Sequence, residues 1–477
     1  MAVFALCLWS ADRAGVPHGE TASRCCALRS NARPNSILSS ITRPVIKDTP
    51  VENPQLLAQR QRRALIAGSV GNFIEWYEFA VYGFLATLIA HNFFQLEGAS
   101  ALSSLILTYA SFAIAFFFRP LGAIIFGRIG DRTGRKPTLI AVLLLMTLAT
   151  TLIGLVPTQA TLGIAAPLIL TGLRILQGLF AGGEYGGAVS LMTEFAPPGK
   201  RGLYGAWQSF TVALGLLAGA GVVALLSGLL SAGAMLSWGW RIPFLLALPL
   251  GLIALWLRLS MEETPSFIRQ HQQPQPPRAS VSQTVKTILL AIARVMLWSA
   301  AGYTCLVIMP TYLQLALHTG FNQALLIAVI SNLGFAATIL PAGWLSDKVG
   351  RRRVMVTASL LLLLLAFPLL KILQGETTSL AVSALVVFIA GGIVGLLAGP
   401  GPAMLAEMFP TQVRYTGLGL AYSLSNALFS GCAGLIITGL MKQTGNLDIP
   451  AWYVVATALI SIPALMTLEK SDRQQRL

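Results

Sequence analysis

From about residue 64 the chain alternates long apolar runs with short polar joints. The runs are too long for buried core strands and too uniformly apolar for surface helices, and each is of membrane-crossing length. They fall near 64–93, 101–127, 138–157, 161–194, 203–230 and 240–258, then near 287–315, 322–345, 353–372, 379–408, 415–440 and 450–468. Between the two sets of six lies a polar stretch from Arg258 to Lys286. It contains the Pro- and Gln-rich run 271–277, which cannot form a span and reads as a linker. Residues 1–60 are rich in Ser, Arg, Pro and Ala, and their one apolar patch, Val3 to Trp9, is too short to span. That stretch reads as a disordered cytoplasmic tail, and one reading puts the true start near Val45 or Val51. The expected division is therefore a tail over 1–60, a six-helix unit over 61–258, a cytoplasmic linker over 259–286, a second six-helix unit over 287–468 and a tail over 469–477.

Composition agrees. Of 477 residues, 55% are hydrophobic and only 11% charged, against about 25% charged in soluble proteins. So few charges cannot cover a water-facing surface, so lipid must cover much of it. The net charge of +15 would suggest nucleic acid in a soluble chain, but here the basic residues cluster at the ends of apolar runs, where membrane topology places them. Arg60, Arg62, Arg63, Arg128, Arg132, Arg135, Lys136, Lys200, Arg201, Lys348, Arg351, Arg352, Arg353 and Arg414 fall in joints on one side, against little more than Lys371 and Lys442 on the other. That asymmetry puts both termini and the linker in the cytoplasm of a multi-pass plasma (inner) membrane protein. The five cysteines form no CxxC pair, disulfide framework or zinc pattern. No Walker A, HExxH or nucleophile elbow is present, so neither an enzyme nor a cofactor or metal is expected.

Two segments recur. Gly127-Arg-Ile-Gly-Asp131-Arg132-Thr-Gly134-Arg135-Lys136 follows the second run, and Gly343-Trp-Leu-Ser-Asp347-Lys-Val-Gly350-Arg351-Arg352 follows the eighth, an offset of 343 less 127, or 216 residues. Glu194-Phe-Ala-Pro197 with Arg201 ends the fourth run, and Glu407-Met-Phe-Pro410 with Arg414 ends the tenth, an offset of 407 less 194, or 213. Two unrelated motifs at nearly equal offsets imply a duplicated six-helix unit. Asp131, Arg132, Arg135, Glu194, Arg201, Asp347, Arg351, Glu407 and Arg414 are candidates for an inner gate, pairing charges between helices in one state and releasing them in the other.

These motifs resemble the major facilitator superfamily, whose signature loops lie after helices two and eight. More narrowly, the chain resembles the metabolite:proton symporter branch, which includes transporters of proline and betaine, 2-oxoglutarate, citrate and shikimate. The residues that carry the likeness are Gly71-Asn72-Phe-Ile-Glu75-Trp76-Tyr77-Glu78-Phe79, Arg119-Pro120-Leu-Gly122, and Arg174-Ile-Leu-Gln177-Gly178. Gly182-Gly183-Glu184-Tyr185-Gly186-Gly187, Trp238-Gly-Trp-Arg241-Ile-Pro243-Phe244, Glu262-Glu263-Thr-Pro265 and Ala406-Glu407-Met-Phe-Pro410 complete it. The branch usually has Asp where this chain has Glu78. Drug:proton antiporters would carry a proline in span five, and residues 202–230 have none. The resemblance implies an all-α fold of 12 transmembrane helices in two pseudo-symmetric six-helix bundles. It also implies a monomer in the lipid bilayer that takes up a small metabolite with protons, an organic acid or a zwitterion.

Ionisable groups inside spans mark pathways. Glu75, Glu78 and Tyr82 share one face of span one. Two buried carboxylates this close repel, which suits a group that exchanges a proton as access alternates. Arg174, Gln177 and Glu184, with Tyr185, form a polar stripe on span four, Arg174 toward the outer third and Glu184 nearer the middle. Charge balance allows Arg174 to contact a span-one carboxylate. Arg119 reads either as snorkelling to the inner interface or as a clamp for a substrate carboxylate. Trp207 and Gln208 are cavity candidates on span five. In the second half Tyr303, Tyr312, Asn332, Tyr422 and Asn426 are the polar candidates, Tyr312 beside a helix break at Met309-Pro310. Facilitated uniport and a non-transporting membrane sensor are the competing readings.

Overall fold

The computed structural model describes residues 54–95, 100–133, 135–194, 196–197, 199–259, 281–375, 378–409 and 414–468. The expected tails, and most of the expected linker, lie outside them. Among the described residues every regular element is a helix and none is a strand. Eleven helices are long and apolar enough to cross a membrane. They are Ala101–Ile129, Lys136–Leu155, Ala165–Ser190, Arg201–Leu229, Gly239–Leu259, Ser282–Ala316, Phe321–Val349, Arg351–Leu373, Leu380–Met408, Thr416–Thr444 and Ile449–Met466. A bent pair, Gly68–Phe84 and Ala86–Phe93, turns by 63° at Leu85 and makes the first span, so these eleven are spans two to twelve.

Several helices outrun the apolar stretches that mark them. The first begins at Pro54, where the missing N–H costs nothing in a first turn. The seventh begins at Val281, so the end of the expected linker is helical. Hydropathy marks only the length inside hydrocarbon, and Ser282 to Lys286 carry nothing that stops a helix.

Spans two and four pack backbone to backbone. The Cα of Gly178 lies against the Ala115 carbonyl, leaving no room for a Cβ. Six spans on, the same arrangement recurs, with Gly391 of span ten against the Ser331 carbonyl of span eight. Small residues at both crossings permit close van der Waals packing, the main attraction between helices in lipid. Span five lies along span eight, with Gly205 on Ala403 of span ten, and span two lies along span eleven, with Gly431 on Phe116 and Gly434 on Tyr109. These contacts join the first six spans to the last six.

Two helices carry π-turns, Thr304–Ile308 in span seven and Asn426–Gly431 in span eleven. The first corrects the helix break expected at Met309-Pro310, because span seven continues through Pro310. Proline has no N–H for the Leu306 carbonyl four residues earlier. Asn332 Nδ2 of span eight supplies the donor instead, at 3.2 Å, and Ser331 Oγ donates to the Cys305 carbonyl at 3.1 Å. In span eleven the Phe429 carbonyl accepts from Tyr453 Oη of span twelve at 2.8 Å. Each widened turn is thus held by a neighbouring helix.

Candidate functional site

A small cavity lies between the two halves, walled by spans one, five, seven, eight and eleven. Trp76, Trp298, Tyr303 and Tyr422 give it aromatic faces, and Ser209, Ser299, Asn426 and Ser430 give it neutral polar groups. Both π-turns contribute to the wall, Leu306 and Val307 from the first, Asn426 and Ser430 from the second. Ser430 Oγ donates to Asn426 Oδ1 at 2.8 Å, and Asn426 Nδ2 to the Tyr422 carbonyl at 3.0 Å. Trp76 Nε1 and Tyr303 Oη are buried and have no hydrogen-bond partner in the protein. No charged residue lines the wall.

Charge lies behind it. Glu75 and Arg119 pair at 3.2 Å, both almost fully buried. The Arg119 guanidinium sits 4.2 Å from the Phe79 ring, 4.5 Å from Phe116 and 5.5 Å from Trp76, so one layer of rings separates it from the cavity. Neither expectation for Arg119 describes this. It does not snorkel, because it lies mid-helix and its partner is an acid on span one.

Glu78 has a different environment. Thr150 Oγ1 of span three donates to its Oε2 at 2.7 Å, and its Oε1 has no partner. Gln177 Nε2 donates to Thr150 Oγ1 at 2.5 Å, and Arg174 Nη1 donates to Gln177 Oε1 at 2.6 Å. Arg174 therefore reaches a span-one carboxylate through two neutral side chains, while its guanidinium packs on Tyr82, Phe79 and Phe112 at 4.2, 5.0 and 5.0 Å. Tyr82 Oη shares a 2.5 Å hydrogen bond with Ser111 and does not reach the cavity.

Span four is broken at Gly182-Gly183-Glu184, and Glu184 pairs with Arg258 of span six, both buried. That places Glu184 near the end of its span rather than the middle, since Arg258 is one residue from the end of span six. Tyr185 stacks face to face on Tyr422, with ring centroids 3.4 Å apart and an angle of 5°, beneath the cavity wall.

Four expected cavity residues lie elsewhere. Trp207 is more than a third exposed and donates to Ser69 Oγ at 2.9 Å. Gln208 clasps Asn72, with Nε2 to Oδ1 at 3.3 Å, and two residues on the same helix, Ser209 and Val212, face the cavity instead. Tyr312 Oη donates to the Leu447 carbonyl at 3.0 Å, away from the wall. Asn332 serves span seven, as described. Asn426 does line the wall. Trp76, Trp298, Ser209, Thr150 and Arg258 escaped the sequence reading. A tryptophan in mid-span, away from the interfacial belts where it is common, was the available signal for Trp298.

Of the gate candidates, Asp347, Arg351 and Glu407 come together. Arg351 Nη1 reaches Asp347 Oδ1 at 2.7 Å, and its Nη2 reaches Glu407 Oε1 at 3.2 Å. The Asp347 carboxylate also accepts from the N–H groups of Gly202 and Leu203 at 2.7 and 2.9 Å. Span eight thus caps the N-terminus of span five across the two halves. Arg201 stands at the start of that helix. The side chains of Asp131, Arg132, Arg135, Glu194 and Arg414 lie outside the described residues. At the opposite end the halves meet through neutral bonds, Tyr109 Oη to Thr311 Oγ1 at 3.1 Å and Ser227 to Asn322. Among the described residues no three His, Cys, Asp or Glu side chains converge on a metal position.

Comparison with known proteins places these features. Residues 64–288 match the Sugar (and other) transporter family and residues 295–476 the Major Facilitator Superfamily. The glycine betaine/proline/ectoine/pipecolic acid transporter OusA of Dickeya dadantii is 36% identical over 419 residues, 84% of this chain and 82% of that protein. The proline/betaine transporter of Escherichia coli is 34% identical over 86% of this chain and 84% of its own. The citrate-proton symporter of Klebsiella pneumoniae is 33% identical over 84% and 90%. Among solved structures, the proton:xylose symporter XylE superposes with a TM-score of 0.71 at 16% identity, covering 85% of this chain and 95% of its own.

Proposed function

The chain belongs to the major facilitator superfamily, in its metabolite:proton symporter branch, and from that premise we propose that it takes up a small zwitterion, of the proline or betaine kind, together with protons by alternating access. Membrane transport follows from the family. The substrate class rests on one observation: the cavity wall is aromatic and uncharged and holds two neutral donors, Trp76 Nε1–H and Tyr303 Oη–H, that have no protein partner. Aromatic faces attract a substituted ammonium group, and the donors offer hydrogen bonds to one carboxylate. A citrate-like trianion would be desolvated there with no cation to offset the cost.

The proton has two candidate seats, Glu75 and Glu78. Glu78 is buried with only a hydroxyl donor, while Arg174 is held two side chains away. Loss of the Glu78 proton would leave a bare buried carboxylate and draw Arg174 toward it, coupling protonation to helix packing. The basic joints support a reading with the Asp347 end and both termini on the cytoplasmic side.

The test is uptake into proteoliposomes under an inward proton gradient, with labelled glycine betaine, proline and citrate side by side. Accumulation of the zwitterions, abolished by an uncoupler and by Glu78→Gln, is the expected result. Accumulation of citrate alone would overturn the substrate class. Equilibration without dependence on the gradient would make the protein a uniporter, and silence with intact substrate-induced thermal stabilisation would make it a sensor.

A further inference from the structure

Span one carries Gly71, Glu75 and Glu78 along one face. Glu75 lies three residues before Glu78 and Gly71 four before Glu75, the spacing of a single helix face. At about 1.5 Å per residue, Gly71 is roughly 10 Å along the axis from Glu78. Gly71 has no side chain, and another carboxylate occupies its place. A Cβ at 71 would overlap the Arg258 guanidinium and lie 2.5 Å from Glu184 Oε1. Span one thus presents three carboxylates in file, Glu78, Glu75 and the borrowed Glu184. The last of them stands at the Asp347 end of the bundle, where Arg258 Nη1 also donates to the Leu139 carbonyl at 2.6 Å and Lys136 Nζ donates to the Leu259 carbonyl at 2.9 Å.

The lower two positions are matched. Glu75–Arg119 and Glu184–Arg258 are each a single carboxylate on a single guanidinium, with the same side-chain exposures of 2% and 3%. A proton on either acid leaves one buried guanidinium without its counter-charge, so moving it from one pair to the next exchanges like for like. Unpartnered buried oxygens follow the same line, at Glu78 Oε1, Glu75 Oε2 and Tyr185 Oη. A buried polar atom without a partner needs an explanation, and three in file fit a path better than a clamp.

We propose that Glu184 is a proton-relay residue, taking the coupling proton from Glu75 and releasing it at the cytoplasmic face, with Arg258 as its resident counter-charge. Each transfer moves one proton between carboxylates and leaves the total charge of the file unchanged until release. The groups that bear on Glu184 are Arg258 from span six, Glu75 and Arg119 from spans one and two, Tyr185 beside it and Tyr422 of span eleven stacked on that ring. The inference rests on proton symport, as proposed above.

The test compares wild type, Glu184→Gln and the charge-neutral double variant Glu184→Gln/Arg258→Gln, which leaves no orphaned guanidinium and so guards against simple misfolding. In proteoliposomes with a lumenal pH dye, three rates are read for labelled glycine betaine: exchange at equal pH, gradient-driven uptake, and substrate-dependent proton entry. Both variants should keep exchange near the wild-type rate and lose driven uptake and proton entry by about a hundredfold, the scale of a positioned proton-transfer group. A double variant that still moves protons at the wild-type ratio to substrate makes the pair a structural clamp and overturns the relay. So does equal loss of exchange and driven uptake at an unchanged thermal midpoint. A wild type that moves substrate without protons overturns the symport reading itself, and that outcome is visible before any variant is made.

Discussion

Asp347→Asn isolates the contact that joins the two halves at the Asp347 end. The Asp347 carboxylate accepts two backbone N–H bonds from the first turn of span five and one from Arg351. Asparagine keeps the shape and one acceptor but loses the charge. Hydrogen bonds to a charged partner contribute about 1.5–3 kcal/mol each, and charge at a partly buried helix terminus up to about 2 kcal/mol. Arg351 keeps Glu407 at 3.2 Å, so no guanidinium is orphaned. A net loss of about 2–3 kcal/mol is the reasonable expectation. Under the proposed alternating access it would fall on the closed arrangement alone, because Gly202 and Asp347 belong to different halves and would part on opening of that end. At 1.4 kcal/mol per tenfold, the open-to-closed ratio should rise about 30- to 150-fold.

The measurement is a spin-label distance between Lys200→Cys and Lys348→Cys, at the ends of spans five and eight, with the five native cysteines replaced. Electron–electron resonance should show a longer-distance population in Asp347→Asn that is minor in the parent. An unchanged distribution alongside a lowered thermal midpoint would refute the reasoning, since the cap would then support the fold without setting the state.

Three further outcomes follow from the geometry. Asn332→Ala leaves the Leu306 carbonyl without its donor, which should cost about 1–3 kcal/mol in unfolding free energy and change the ratio of betaine to proline KM, because the same turn shapes the cavity wall; Tyr453→Phe should do likewise from span eleven. Trp298→Leu removes one aromatic face of the cavity and should weaken betaine by about 0.5–2 kcal/mol in a binding titration, with little effect on the thermal midpoint. The hydrogen bond from Lys371 holds the Asp448 carboxyl below its ordinary range, so the contact between spans nine and twelve should be fully present above about pH 4 and lost as pH falls through the lowered value. Thermal melts of wild type and Asp448→Asn should differ at neutral pH, where the wild type keeps the contact, and converge as pH falls through the lowered value.

Much of this architecture was legible in the sequence, because lipid leaves few choices. Apolar runs of membrane length can only be helices, and the repeated Asp347-x-x-Gly350-Arg351 and Glu407 motifs already mark charges that must meet. Rotation about each helix was not legible. Span five is apolar on every side, so nothing distinguishes the face of Trp207 from that of Ser209, about 200° away at 3.6 residues per turn. Tyr312 was expected in the cavity because Met309-Pro310 reads as a helix break, but the π-turn lets span seven continue through it and the side chain lies outside the wall. Arg258 was lost for another reason. At the end of an apolar run a basic residue reads as interfacial, and the sequence carries no sign that Glu184 waits across the bundle where Gly71 leaves room.

The distribution of buried charge bears on the proposed coupling. Among the described residues, the fully buried acids Glu75, Glu78 and Glu184 all lie in spans one to six, whereas the cavity wall supplied by spans seven to eleven is neutral. On the proposed reading, protonation would act in the first half, while the cavity wall draws on both halves and is uncharged. Two uncharged contacts cross between the halves: Trp76 against Tyr303, 6.3 Å between centroids, with Arg119 behind Trp76, and Tyr185 against Tyr422, with Glu184 next in the chain to Tyr185. A ring pair transmits position and not charge. Under the proposed symport the substrate would bear on the proton through where Trp76 and Tyr422 are held, and a change that preserves charge but alters these rings should uncouple the two fluxes without abolishing either.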